Sequence, residues 1–193
     1  MVATVLLLGL LVVATATDLR RHKIYNWTTY PGILTALVLN GIGTVLVATT
    51  GTDPDGLAQS LQSLGWVGLA ESVIGFLACG LVLLVCYVLF KVGGGDVKLM
   101  AMLGAFLGAD RGIEAMLWTF VLGGCMGLIV LVWRVGPVRL TARVLRQVLW
   151  TISLGRWSPL TPDERAQLQP PLFLAPSALA AAIIVQFSLV DLM

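Results

Sequence analysis

Apolar residues fill this chain in long runs, and polar residues gather between the runs. Six apolar segments stand out, at about 2–17, 30–49, 66–90, 97–109, 113–133 and 171–191. A helix needs roughly 20 residues to cross the hydrocarbon core of a bilayer. The first segment is slightly short of that and the fourth clearly short, reaching only ~20 Å at ~1.5 Å per residue. The pattern predicts an all-α membrane protein, a polytopic bundle of about six transmembrane helices. The fourth helix is short and follows a glycine-rich break, so it is expected either to be shielded by protein or to line a wet cavity.

Composition agrees. Of 193 residues, 58% are hydrophobic and only 11% charged, and the mean hydropathy is +0.95. A soluble domain carries about 25% charged residues. The length suits a single membrane-embedded domain over 1–193. The opening run, MVATVLLLGLLVVATAT, has its basic residues after it rather than before, so it reads as a retained first span and not as a cleaved signal.

The net charge is only +2, but its distribution is lopsided. With the N-terminus outside, the loops at 18–29, 91–98 and 134–170 lie inside and hold eleven of the twelve Lys and Arg, all but Arg111. Asp53, Asp55, Glu71, Asp110, Glu114 and Asp191 fall on the outer side. This positive-inside pattern predicts a multi-pass inner-membrane protein. It puts Asp18 and Asp96 together at the cytoplasmic edge.

The outer loop TTGTDPDGLAQSLQSLG reads as turn chemistry with no site. In the 134–170 loop, Arg139, Arg143 and Arg146 recur at helical spacing opposite Leu145, Val148, Leu149 and Ile152, which predicts an amphipathic helix on the inner leaflet. TPDERAQL predicts a short helix capped by Thr161. The glycine pairs Gly104/Gly108 and Gly123/Gly127 predict close helix packing. Cys79, Cys86 and Cys125 lie in apolar runs and read as fillers. His22 has no partner at metal-ligand spacing, so neither a metal nor another cofactor is expected.

Carboxylates at a membrane boundary are costly and each needs a role. Taken singly, Asp18 could pair with Arg20, Arg21 or Lys23, and Asp96 could cap the helix that follows it. Taken together, the two sit at one depth on different helices. Gly93, Gly94 and Gly95 break the helix before Asp96 and let the backbone pass close to something else. A bare turn there could admit an extended peptide, and the short helix could leave room for water. Two facing carboxylates share a proton. One then activates water and the other protonates and polarises a peptide carbonyl, with no metal, thiol or serine needed. Lys98 could bias such a pair, bind a substrate charge, or snorkel to the interface.

Two motifs carry a family resemblance. DLRRHKIYN, residues 18–26, is similar to the pattern D-x-R-x-x-x-I-P-N of the prepilin peptidases, or type IV leader peptidases, matching at Asp18, Arg20, Ile24 and Asn26. Tyr25 stands where that pattern has proline. GGGDVKL, residues 93–99, resembles G-x-G-D-x-K, matching at Gly93, Gly95, Asp96 and Lys98. The resemblance implies a membrane aspartyl endopeptidase with Asp18 and Asp96 as its catalytic pair. Gly93, Gly94, Gly95, Lys98, Arg20 and Asn26 would shape the site or bind substrate. It implies cleavage of prepilin-like proteins after a short leader at the cytoplasmic face, with membrane lipids as the other partner and no nucleic acid. Larger members carry a cytoplasmic domain with two C-x-x-C pairs and N-methylate the product. The first motif ends at 26 and the second span begins near 30, which leaves no room for such a domain there, so this chain resembles the small form of tight-adherence (Flp-type) pili, without methylation. The archaeal preflagellin peptidases are similarly compact. Two other readings compete: a non-catalytic membrane component of a pilus or secretion assembly, and a small ion-coupled transporter whose broken helix binds the ion.

Overall fold

A computed structural model describes residues 2–21, 24–49, 54–90, 93–136, 141–142, 145 and 174–187. Among these residues every regular element is a helix: α1 (Val2–Arg21), α2 (Asn26–Thr49), α3 (Pro54–Ser63), α4 (Leu69–Phe90), α5 (Gly94–Leu107), α6 (Ala109–Val135) and α7 (Leu174–Gln186). Four are long and apolar enough to cross a membrane: α1, α2, Leu69–Leu89 of α4 and Ala109–Trp133 of α6. With the shorter α5 and α7 they make the six-segment, all-α membrane bundle that the hydropathy pattern predicts. The proposed amphipathic helix at 139–152 and the short helix at 161–168 lie almost wholly outside the described residues.

Helix ends run past the apolar runs. Helix α1 continues through Asp18 to Arg21, and α2 begins at Asn26 rather than near 30. Backbone hydrogen bonding carries on where hydropathy falls, because polar side chains at a membrane edge do not oppose the helix. The segment between α2 and α4 holds a ten-residue helix, α3, where the sequence suggested only turns. Its proline is the first helical residue, a position that needs no N–H donor.

The chain divides into two compact units. One comprises Met1–Leu122 and Phe173–Met193, the other Gly123–Leu172. The described part of the second unit is the later portion of α6 and the few residues after it. The first unit holds the core, with α5 at its centre. Nine consecutive α5 residues, from Leu99 to Leu107, are buried. A helix apolar and buried all round needs protein on every side, and α4, α2, α1 and α7 provide it. That answers the length problem: α5 is short because its partners, not lipid, surround it.

Packing between α4 and α5 is close enough to exclude side chains. A Cβ at Gly75 would strike the Gly104 and Gly108 carbonyls, and one at Gly104 would strike the Gly75 backbone. Gly108, at φ +79°, ends α5 in a conformation that favours glycine and lets α6 begin at the next residue. On α1 the buried positions are Thr4, Leu7, Leu11, Ala14 and Asp18, a 3–4–3–4 spacing that defines one face. The small buried residues of α7, including Ala175, Ala178 and Ala182, pack against this helix.

Candidate active site

Asp18 occupies the last position of the buried α1 face, where the helical spacing demands an apolar residue. It is only 7% exposed, and a carboxylate that buried needs compensation. Part of it comes from the backbone: the Ala175 N–H in the first turn of α7 donates to Asp18 Oδ2 at 3.4 Å. A helix N-terminus also carries partial positive charge.

Asp96 sits in the first turn of α5, just before the apolar run and outside the four spanning helices. Gly93 is the N-cap, extended at φ −64°, ψ 134°, and its carbonyl accepts the Asp96 N–H at 3.0 Å. The Asp96 carboxylate folds back over Gly93, so that a Cβ there would lie 2.9 Å from Asp96 Oδ2. This is the return half of a capping box. The Asp96 carboxyl is pushed up from an ordinary 3.8 to about 6, mainly by burial and also by the nearby Asp18 charge, with the Gly93 backbone hydrogen bond holding it down in part. The Asp18 charge is thus felt at Asp96, 78 positions away in sequence.

The remaining motif residues join the two turns. Lys98 Nζ donates to Asn26 Oδ1 at 2.8 Å and stands 4.7 Å from the centre of the Tyr30 ring. Lys98 therefore reaches the start of α2. Gly95 faces Ile24, whose Cβ would lie 3.0 Å from a Cβ at 95. The close approach that Gly95 permits is to the first motif of the same chain. Gly94 is exposed, with Tyr87 as its nearest neighbour at 3.8 Å from a built Cβ. Both Gly93 main-chain groups are engaged with Asp96, so the extended-peptide role imagined for a bare turn would have to fall elsewhere than on Gly93.

Arg20 is not brought to the pair. It is exposed on the last turn of α1, about 200° around the helix from Asp18. Tyr25, at the position where the motif pattern has proline, has a use of its own. Its hydroxyl accepts from Arg21 at 3.0 Å, its ring lies 5.9 Å from that guanidinium, and its carbonyl accepts the Thr28 N–H at 3.1 Å. His22 and Lys23 lie outside the described residues.

Sequence reasoning missed the Ala175 donor, because a backbone group 157 residues away leaves no trace in a local motif. It also missed two buried hydroxyls, Thr15 Oγ1 and Thr29 Oγ1, which have no partner among the described residues. Thr15 stands one turn before Asp18, and Thr29 one turn after Asn26. No group of three or more His, Cys, Asp or Glu among the described residues could hold a metal ion. A cavity of about 760 Å³ opens among Thr4, Gln62, Glu71, Asp110, Arg111 and Gln186. It belongs to the other end of α1, since Thr4 is roughly 21 Å along the helix from Asp18.

No curated protein and no solved structure matches this chain. The family model for type IV leader peptidases does match, over residues 5–128, which takes in both motifs, three of the six apolar segments whole and most of two more. That is more than half of the chain, and it therefore belongs to the type IV leader peptidase family.

Proposed function

We propose that this chain is an intramembrane aspartyl endopeptidase that removes the short N-terminal leader of prepilin-like proteins at the cytoplasmic face of the inner membrane. The observation that supports the reading is that the Asp18 charge is felt at the Asp96 carboxyl, the two acids being carried by different helices. Family membership supports peptidase chemistry, and the basic loops support the cytoplasmic face.

In this mechanism the pair works with one proton. Asp96, whose carboxyl is pushed up, carries it. Asp18, which accepts from the Ala175 N–H, takes the role of the base. Asp18 takes a proton from water as the oxygen attacks the scissile carbonyl carbon. Asp96 hydrogen-bonds the carbonyl oxygen and stabilises the tetrahedral intermediate. The C–N bond then breaks, and a proton from the pair goes to the leaving amine. Each step uses only groups on this chain, so cleavage needs no metal, and the reading includes no methyl transfer.

The test is co-expression with a prepilin. Wild type should shorten the pilin by its leader, whereas Asp18→Asn and Asp96→Asn should leave it full length while still accumulating in the membrane. Processing by both variants would end the proposal. It would favour a non-catalytic assembly component or a transporter.

A further inference from the structure

We infer that Lys98 is a positioning residue: by bridging to Asn26 across the face of Tyr30, it holds the α1–α2 turn against the start of α5 and so sets the separation of the two aspartates. This rests on the function proposed above.

The two carboxylates come from elements with no covalent reason to stay in register. Asp18 ends the buried face of α1, and Asp96 opens α5. Among the described residues, a steric and a polar contact cross between the motifs beside the acid pair. One is steric: Ile24 sits directly against the bare Gly95. The other is polar: Lys98 donates to Asn26 at 2.8 Å, with Tyr30 beneath the ammonium at 4.7 Å. The steric contact stops the turns from approaching further but cannot stop them from separating. The Lys98 bridge supplies the opposing restraint. Lys98 lies two residues from Asp96 on a short helix, so a pull on its side chain is transmitted to the turn carrying the carboxylate. Asn26 is the first residue of α2 and lies just beyond the turn that leaves α1. With its ammonium held by an amide oxygen and an aromatic face, Lys98 is committed within the protein, away from the role of a substrate-charge receptor.

Misplacing reacting groups by about 1 Å costs about 100-fold in rate. Lys98→Met should therefore lower kcat by about 10- to 100-fold and leave KM within about twofold. Asn26→Leu should do the same. The double variant should be no slower than the slower single, because both remove one bridge. Lys98→Arg, which keeps the charge, the donor and the ring contact, should restore most of the rate. A rise in KM at unchanged kcat would overturn the inference and make Lys98 a substrate contact. So would a wild-type kcat in Lys98→Met, or single effects that multiply.

A second readout does not depend on cleavage. In a background with Cys79, Cys86 and Cys125 replaced by alanine, Ile24→Cys with Gly95→Cys should form a disulfide on mild oxidation. Adding Lys98→Met should slow its formation several-fold if the bridge holds the turns together. An unchanged rate overturns the inference. If wild type cleaves no prepilin yet the cross-link still depends on Lys98, the proposed function fails while the bridge stands.

Discussion

Two polar clusters tie other helices to α5, one from α2 and α4 and one from α1, and they are built on opposite principles. One surrounds Asn40. Its side chain donates to the Ala105 carbonyl at 3.4 Å and accepts the Val67 N–H at 3.1 Å, while its own carbonyl accepts from the Trp66 indole at 3.1 Å. Ser72 reaches the same Ala105 carbonyl at 2.6 Å, so α2, α4 and α5 meet at one oxygen. Every group in this cluster is neutral and matched. The other cluster brings together two carboxylates whose charges oppose each other, one of them with its proton affinity raised. A matched buried network gives a unique packing arrangement. A mismatched pair of like charges is destabilising, and such sites are where chemistry is found. The two clusters should therefore respond differently to substitution, one in stability and the other in turnover.

The largest contrast is expected at the acid pair. Asp18→Asn or Asp96→Asn should reduce prepilin cleavage by at least about 10²- to 10⁴-fold, the usual worth of general acid–base help. Asp96→Asn should also raise the stability of the detergent-solubilised protein. The raised carboxyl binds its proton more tightly when folded than when unfolded. Its favourable contribution is complete below about 3.8 and is lost as pH rises through about 6. Above pH 6 the amide should thus stabilise by on the order of 1–2 kcal/mol, read as a higher Tm. A dead variant no more stable than wild type would blur the contrast.

Asn40→Ala should do the reverse. It strands the Val67 N–H and weakens the tie at Ala105, which should cost about 2 kcal/mol. Cleavage per folded molecule should be unchanged in a detergent assay normalised to folded protein. A loss of kcat would show that this cluster reaches the chemistry. Next is the pH profile. If Asp96 must carry the proton, kcat/KM should fall about tenfold per unit above pH 6. A flat profile to pH 8 would remove Asp96 as the acid. The smallest effect is expected at Gly93→Ala, whose methyl would crowd Asp96 Oδ2. The carboxyl can turn aside, so a rate loss of about three- to tenfold with little change in Tm is expected.

Much of this was readable in one dimension. Asp18 falls in step with Thr4, Leu7, Leu11 and Ala14, but α1 is apolar on every side before it, so only the packing shows that this face turns inward. The shortness of α5 announced a segment that lipid does not surround. The three glycines announced a close approach, but periodicity could not say to what, and Ile24 is the answer. Hydropathy placed the spans and misjudged their ends, because it measures what the bilayer tolerates rather than where hydrogen bonding stops. The ties at Asn40, Ala105 and Ala175 link positions 26 to 157 residues apart. They depend on how helices stack, which no local pattern encodes.

The bare main-chain contact at Gly75 and Gly104 has a mechanical consequence. Where two rods touch backbone to backbone, there is no layer of side chains between them to slide, tilt or repack. Helices α4 and α5 then behave as one welded strut with Asp96 mounted at its tip. Any displacement that brings a substrate to that carboxylate has to be made by the lighter parts around the strut, because shifting the tip alone would mean breaking the weld.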